Sequence, residues 1–206
     1  MCGGKPPAGR FDLFAVEGGT AAMCYIFNSL MYNGLLRRGD TIALAVPTFQ
    51  PYIEIPHLDR YKFKVVNIDA GKELRADGTH SWQYADAEID KLADKRINAM
   101  RASSMRRLVK LVKSRHPNLM IVTDDVYGTF VPGFRSLMAE LPQQTIGVYS
   151  YSKHFGCTGW RLGVVAIHQD NIYDRMIAKL PAKERAALHH RYGSITLTPE
   201  KIKFID

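Results

Sequence analysis

The stretch Tyr149–Gly163, which reads YSYSKHFGCTGWRLG, decides how the rest of the sequence is interpreted. An apolar, β-prone run leads into it, and a second apolar run begins at its end. Within it, Lys153 follows a pair of serines, and Arg161 follows two glycines. An amine nucleophile, hydroxyl donors and a planar guanidinium are the groups that hold a phosphorylated aldehyde and form an imine with it. The stretch therefore predicts a reactive lysine at the end of a strand.

Apolar β-prone runs alternate with helical patterns along the whole chain. The runs are Phe11–Val16, Thr41–Val46, Phe63–Ile68, Ile97–Met100, Leu119–Thr123, Ile146–Tyr151 and Arg161–His168. The polar, turn-rich segment Gly71–Tyr84 is predicted to be a surface loop. Alternating strands and helices indicate an α/β fold, a three-layer α/β/α arrangement with a mainly parallel sheet covered on both faces.

The net charge of +8 does not by itself indicate a nucleic-acid partner. Basic residues are spread along the chain, and the densest run, Arg101–Arg115, alternates with apolar residues at helical spacing. Such a pattern favours a solvated helix face. The chain also has no nucleic-acid-binding motif, so we expect no nucleic-acid partner.

The cysteine pattern and the hydropathy bear on location. Cys2, Cys24 and Cys157 show no C-x-x-C spacing, which argues against a zinc site or a disulfide framework. No apolar run approaches the ~20 residues of a membrane span. The N-terminus lacks the apolar region of a secretory signal. These features predict a cytoplasmic protein without a metal site or a membrane partner.

Three strand ends carry polar or aromatic residues that suit a ligand site. Gly19 and Thr20 follow the first strand and open a helix, which aims N–H groups at an anion, although the same residues also make an ordinary turn and N-cap. Phe49 follows Pro47-Thr48 and is either a core residue or an aromatic face against a ligand ring. Asp124 and Asp125 end a later strand, where they either cap a turn or require a partner cation.

Taken in order, these motifs resemble the large domain of the aspartate aminotransferase superfamily, the fold-type I pyridoxal-phosphate enzymes. The motifs that carry the resemblance are the helix start at Gly19-Thr20, Phe49 after Pro47-Thr48, the Asp124-x-x-Tyr127 pair, the Ser150-x-x-Lys153 pair and Arg161. The resemblance implies pyridoxal 5′-phosphate as the cofactor.

The same resemblance implies a role for each site residue. Lys153 forms the Schiff base and moves the substrate Cα proton, Asp124 pairs with the pyridinium nitrogen, and Tyr127 donates to the ring's phenolate oxygen. The residues that bind the phosphate are Gly19, Thr20, Ser150 and Arg161. Phe49 stacks on the ring.

Within the superfamily, the sequence looks most like the aspartate 4-decarboxylases. The runs that carry this closer resemblance are Tyr149–Gly163, Thr123–Phe130 and the tail from Arg191 to Asp206. It implies β-decarboxylation of L-aspartate to L-alanine and CO₂, with aminotransferase as a second activity. It also implies a homo-oligomer, because sites in this family are shared between subunits.

The sequence departs from the family at three places. The family's Asn-Pro-x-Asn-Pro-type loop has no counterpart after Met100, and its N-terminal segment and C-terminal small domain are also missing. We therefore expect residues 1–206 to be a partial large domain, truncated at both ends, with a tail from about residue 181 leading toward the missing small domain. Arg175 and Arg191 cannot be assigned by motif to the substrate carboxylate.

Three alternatives stay open. In the first, the chain is an aspartate or aromatic aminotransferase. In the second, it is a non-catalytic chain that keeps part of the cofactor site. In the third, it is an α/β domain in which the lysine occurs by chance.

Overall fold

The strands and helices follow the apolar runs of the sequence closely. The structure is a computed structural model that describes residues 6–94 and 102–206. The strand predicted at Ile97–Met100 and the gap predicted after Met100 lie outside the described residues. In the described part, the strands are β1 (Phe11–Val16), β2 (Thr41–Val46), β3 (Lys64–Leu74), β4 (His80–Tyr84), β5 (Ile121–Asp124), β6 (Thr145–Ser150) and β7 (Gly163–His168). The α-helices there are α1 (Gly19–Tyr32), α2 (Gln50–Glu54), α3 (Asp86–Asp94), α4 (Ala102–Arg115), α5 (Leu137–Glu140), α6 (Tyr151–His154), α7 (Ile172–Ala178) and α8 (Ala182–Tyr192).

The described strands form two sheets. One has the order β1-β7-β6-β5, and the other has the order β2-β3-β4. Among the pairings of described strands, β2 pairs with β3 and β5 pairs with β6, both in parallel.

Helices cover both faces of the two sheets. On one face, α1 and α7 pack in a core that includes Ile42 of β2 and Ile146 of β6. On the other face, α3, α4 and α5 pack in a core that includes Ala43 of β2 and Ile121 of β5. Because each core spans strands of both sheets, the sheets form one middle layer between two layers of helices. The predicted three-layer α/β class is confirmed.

The strand directions are more mixed than the predicted mainly parallel sheet. The pairs β2–β3 and β5–β6 are parallel, whereas β1–β7, β6–β7 and β3–β4 are antiparallel. The connection from β6 to β7 holds only the four-residue helix α6 and a short turn, so β7 runs back against β6. The pairing of β1 with β7 joins segments that are far apart in the sequence, such as Phe11 and His168, which no local pattern reveals.

The segment Gly71–Tyr84 is a β-hairpin, and the prediction of a surface loop there was wrong. Strand β3 extends to Leu74 and pairs with β4. The buried face of β4 carries Ser81 and Gln83, whose side chains are hydrogen-bonded to each other at 3.0 Å, while Trp82 points outward. Polar residues inside and an aromatic residue outside invert the usual strand pattern, which explains the error.

The C-terminal residues return to the body of the fold. The ring of Phe204 lies 5.1 Å from that of Tyr173, and the Lys203 amine lies 2.7 Å from the Asp12 carboxylate of β1. Among the helices that the structure describes, none is long and apolar enough to cross a membrane.

Candidate active site

Lys153 lies in the short helix that follows the most completely buried strand. Every residue of β6 is buried, and its last residue, Ser150, is the N-cap of α6, accepting a hydrogen bond from the Ser152 N–H at 3.3 Å. Lys153 itself is exposed, and within the described part of the chain its amine has no hydrogen-bond or ion-pair partner. A rigid strand thus presents a free amine, as a nucleophile requires.

The guanidinium of Arg161 joins the lysine segment to the start of α1. One nitrogen donates to the Glu17 carbonyl at 3.1 Å, and the other donates to the Ser152 hydroxyl at 3.4 Å. A Cβ on Gly18 would lie 2.4 Å from the first of these nitrogens. The missing side chain at Gly18 therefore lets the guanidinium lie against the turn before α1.

This turn and the serines form a candidate anion cradle. Gly18 is the N-cap of α1 and makes no side-chain cap hydrogen bond, and the first turn of α1, which starts with Gly19 and Thr20, holds no acidic residue. The first turn of α1 itself therefore brings no carboxylate to the positive end of the helix. The Ser150 hydroxyl donates to the Ser152 hydroxyl at 3.0 Å, and the Ser152 hydroxyl in turn accepts a hydrogen bond from Arg161. The structure therefore places Arg161 against Gly18, the residue before the predicted Gly19, and adds Gly18 and Ser152 to the candidate residues.

Phe49 and Asp124 meet through Tyr52, which the sequence analysis did not single out. The ring of Phe49 is 56% exposed and lies edge-on to that of Tyr52, 5.6 Å between centroids. The Tyr52 hydroxyl donates a short hydrogen bond to one oxygen of Asp124, and the Val126 N–H donates to the other at 3.0 Å. The position of Tyr52, three residues after Phe49 in a helical turn, is the signal that puts both rings on one face.

Burial and the neighbouring carboxylate keep Tyr52 protonated. Burial is the main cause that raises the pKa of the Tyr52 hydroxyl far above its ordinary value, and the charge of Asp124 raises it further. A Cβ on Gly19 would lie 3.7 Å from this hydroxyl. The aromatic pair thus borders both Asp124 and the anion cradle.

Asp124 and Asp125 accept hydrogen bonds from neutral donors, as in the turn-cap alternative, and the partner cation expected from the sequence stays a prediction. The hydroxyl of Thr123 donates to Asp125 at 2.9 Å, and Asp125 is 2% exposed. Burial raises the pKa of the Asp125 carboxyl. Hydroxyl and amide donors thus reach both oxygens of Asp124 and one oxygen of Asp125, whereas the other Asp125 oxygen is buried without a hydrogen-bond partner among the described residues.

Tyr127 approaches the lysine segment through a chain of aromatic rings. Its ring is exposed and lies 6.1 Å from that of Phe130, which in turn lies 5.4 Å from the imidazole of His154. His154 is the residue after Lys153. Thr20 is half-buried at the start of α1, and its side chain makes no hydrogen bond to another described residue.

The arrangement fits the pyridoxal 5′-phosphate predicted from the sequence. Arg161 and the start of α1 present donors without a carboxylate between them, which suits a phosphate. The ionised form of Asp124 suits a protonated ring nitrogen, the exposed face of Phe49 suits an aromatic ring, and the free amine of Lys153 suits an aldehyde.

Solved structures share this fold. One is the PLP-bound C–S lyase from Staphylococcus hominis, with a TM-score of 0.61 and 11% identity over 81% of this chain and 42% of that chain. Another is cystalysin from Treponema denticola, with a TM-score of 0.58 and 15% identity over 94% of this chain and 49% of that chain. At these identities the likeness shows the fold alone.

Comparison with sequence relatives shows the family, which the likeness of fold alone does not. The bifunctional aspartate aminotransferase and L-aspartate beta-decarboxylase of a Pseudomonas species is 47% identical over all of this chain and 40% of its own length. An aspartate aminotransferase of Rhizobium meliloti is 27% identical over 74% of this chain and 39% of its own length. The chain thus spans about two fifths of the length of these relatives. The family model described as aminotransferase class I and II matches residues 16–185. The chain therefore belongs to the aminotransferase class I and II family.

Proposed function

We propose a pyridoxal-phosphate-dependent enzyme that removes the β-carboxylate of L-aspartate to give L-alanine and CO₂, with aminotransferase as a second activity. The observation that carries the proposal is the cradle in which Arg161 links the Lys153 segment to the start of α1. The Pseudomonas relative, whose name includes both activities, supports the choice of reaction.

Each site residue has a distinct task in this proposal. The bound cofactor supplies an electron sink for negative charge that develops on the substrate. Arg161 holds the phosphate through its planar fork, helped by the N–H groups of Gly19 and Thr20 and by the Ser150 hydroxyl. Asp124 holds a proton on the ring nitrogen, and Tyr127 donates to the ring oxygen. Phe49 covers one ring face. Lys153 supplies the reactive amine and moves a proton at its Nζ atom.

The described residues form the cofactor-binding part of this proposed enzyme. We propose that they belong to the large domain of fold-type I enzymes and that the tail from about residue 181 leads toward a small domain. The residue that binds the substrate α-carboxylate is not assigned to this chain. We expect the substrate to be bound fully only in the longer protein.

A homo-oligomer forms part of the proposal. Large aromatic side chains are exposed next to Lys153, with Phe155 62% and Trp160 84% exposed. Contiguous exposed apolar surface marks interaction sites, so a dimer or larger assembly would cover this patch. Sedimentation of the cofactor-loaded protein tests the assembly. The proposed location is the cytoplasm, supported by the free thiols of Cys24 and Cys157.

The reaction is tested by incubating the protein with pyridoxal 5′-phosphate and L-aspartate while no 2-oxo acid is added. Formation of L-alanine and CO₂ in equal amounts, abolished in Lys153→Ala and kept in the control Lys183→Ala on α8, supports the decarboxylase. Conversion that requires an added 2-oxo acid supports the alternative, an aspartate or aromatic aminotransferase. Cofactor binding without either reaction supports the other alternative, a non-catalytic chain.

A further inference from the structure

Gly163, the first residue of β7, lies between the two strand ends that lead into the candidate site. It pairs with Val16 at the end of β1 on one side and with Ser150 at the end of β6 on the other. The turn into α1 follows Val16, and the short helix that carries Lys153 follows Ser150. Gly163 therefore stands in the middle of the two segments that the guanidinium of Arg161 joins.

The position of Gly163 leaves no room for a side chain. A Cβ atom there would lie 2.9 Å from the Cα atom of Gly18 and 2.9 Å from the carbonyl oxygen of Tyr149. Both of these are backbone atoms, which cannot rotate away as the end of a long side chain can. A glycine inside a strand often marks such a close approach of another backbone. The missing side chain at Gly163 therefore lets β7 touch the N-cap of α1.

This contact sets the position of the first N–H groups of α1. The carbonyl of Gly18 accepts the first helical hydrogen bond, from the Ala22 N–H at 3.1 Å. The N–H groups of Gly19, Thr20 and Ala21 come before that bond, and such groups need an acceptor outside the helix. Because the three groups belong to one helical turn, a displacement of Gly18 would move all of them together.

The same end of β7 sets the position of the guanidinium. Arg161 precedes Gly163 by two residues and has a φ of 52°, in the left-handed region that residues other than glycine rarely adopt. The intervening Leu162 accepts a hydrogen bond from the Tyr151 N–H at 3.0 Å, and the Arg161 side chain donates to the Glu17 carbonyl at 3.1 Å. The segment before Gly163 is thus fixed against both α6 and the turn before α1.

We propose that Gly163 is a positioning residue for the phosphate of the cofactor. The role rests on the proposed function, in which this phosphate lies between the start of α1 and the guanidinium of Arg161. A helix N-terminus and a guanidinium each bind phosphate, and the contact between Gly163 and Gly18 keeps the two at the separation that one phosphate spans. A side chain at position 163 would push the start of α1 away from Arg161.

The test compares pyridoxal 5′-phosphate with pyridoxal, which has the same ring and aldehyde but no phosphate. Absorbance titration of the full 206-residue chain gives a dissociation constant for each ligand, and the ratio of the two constants measures the preference for the phosphate. A general loss of structure weakens both ligands and leaves this ratio unchanged. We expect Gly163→Ala to lower the ratio about fivefold, which corresponds to about 1 kcal/mol.

Gly147→Ala is the matched control. Gly147 is a buried glycine of β6 that also lies beside β7, opposite Ala166, and a Cβ there would meet the sulfur of Met138. We expect this variant to melt at a lower temperature than the parent chain, with an unchanged ratio. If Gly163→Ala does not fold in buffer, the titrations are repeated in trimethylamine N-oxide, which favours the compact state.

Hydrogen exchange of the parent chain is a second measurement, and it needs no variant. We expect pyridoxal 5′-phosphate, compared with pyridoxal, to slow the exchange of residues 18–21 and of residues 161–163. Slower exchange in only one of these segments would overturn the proposal, because the two sets of donors would then not hold one phosphate together.

Two results of the titrations would also overturn the role of Gly163. One is an unchanged ratio in folded Gly163→Ala, and the other is a parent chain that binds both ligands equally. The proposed reaction is judged separately, by the formation of L-alanine from L-aspartate. A chain that forms no alanine would contradict that reaction, whereas a lower ratio in Gly163→Ala alone would still support the role of Gly163.

Discussion

The Tyr52 hydroxyl donates a hydrogen bond to the Asp124 carboxylate, and this bond connects residues 72 positions apart in the chain. Tyr52 belongs to α2, which follows β2, and Asp124 ends β5. Because burial raises the pKa of Tyr52, the hydroxyl stays a donor over the whole physiological range. The bond therefore fixes the orientation of the carboxylate that is proposed to face the cofactor's ring nitrogen.

Replacing Tyr52 by phenylalanine removes this donor and keeps the ring. A hydrogen bond to a charged group contributes about 1.5–3 kcal/mol, and the partial exposure of Asp124 favours the low end. We expect the free energy of unfolding of Tyr52→Phe to be about 1–2 kcal/mol lower than that of the parent. We also expect its dissociation constant for pyridoxal 5′-phosphate to rise about fivefold, which corresponds to about 1 kcal/mol.

Tyr61→Phe is the matched control for this change. It removes a hydroxyl that donates to Asn28 at 2.8 Å, in the core rather than at the candidate site. Denaturant unfolding and cofactor titration should show a stability loss in both variants but a weaker affinity only in Tyr52→Phe. An equal change of affinity in both would mean that Tyr52 acts through general stability.

Gly18→Ala should lower the stability of the fold and displace the Arg161 guanidinium from the anion cradle. The φ of 95° and ψ of 176° at Gly18 belong to a region that essentially only glycine occupies, at a cost of about 1–3 kcal/mol for another residue. The new Cβ would also meet the Arg161 guanidinium at 2.4 Å. We expect the cofactor's dissociation constant to rise at least tenfold, measured by titration of the protein with pyridoxal 5′-phosphate.

Gly39→Ala is the control that tests the effect of backbone strain without a change at the cradle. Gly39 has a φ of 85°, and a Cβ there would meet nothing within 4 Å. Its variant should lose about 1–2 kcal/mol of stability with an unchanged cofactor affinity. A cofactor affinity in Gly18→Ala equal to that in Gly39→Ala would show that the approach of Arg161 to Gly18 has no part in binding.

Asp125→Asn should change how stability depends on pH. Because burial raises the pKa of Asp125 above its ordinary value, the folded chain keeps this proton at a pH where the unfolded chain has lost it. Stability from this group is fully present below the unfolded pKa and is lost as pH rises through the folded pKa. The asparagine variant cannot ionise and keeps an oxygen for the Thr123 hydroxyl. Its unfolding free energy, relative to the parent, should therefore rise as pH increases above the ordinary pKa of an aspartate.

Asp77→Asn should change the pH dependence of the unfolding free energy in the opposite direction. Hydrogen bonds from the Thr79 side chain and backbone lower the pKa of Asp77, so its contribution is present above the unfolded pKa and is lost as pH falls through the folded pKa. Urea unfolding of both variants and the parent at several pH values measures the two effects. Parallel pH profiles for the parent and Asp125→Asn would contradict the buried, protonation-sensitive state of Asp125.

The sequence predicts those parts of the fold that depend on local pattern. The bounds of β1 and β2 agree with the apolar runs Phe11–Val16 and Thr41–Val46, because each run ends at a turn residue or a proline. The hairpin of β3 and β4 was missed because Ser81 and Gln83 face inward and hide the alternation.

The residues of the candidate site fall into the same two groups, those that the local sequence pattern indicates and those that only the three-dimensional packing shows. Lys153 and Arg161 stand in one motif, which the sequence shows directly, and the structure adds the hydrogen bond that joins their segment to the turn before α1. Tyr52 was missed because its contact with Asp124 depends on the packing of two sheets. Gly18 was missed because only the geometry shows how closely Arg161 approaches it. The roles proposed for all of the site residues stay predictions, namely those of Gly19, Thr20, Phe49, Asp124, Tyr127, Ser150, Lys153 and Arg161.

The central claim is that Lys153 carries the cofactor, and borohydride trapping tests it most directly. The chain is saturated with pyridoxal 5′-phosphate, reduced, digested and analysed by mass spectrometry, with Lys153→Ala and the control Lys183→Ala treated in parallel. The account predicts one dominant pyridoxyl adduct on Lys153, retained in Lys183→Ala and lost in Lys153→Ala. An adduct spread over several surface lysines, or unchanged labelling in Lys153→Ala, would contradict it.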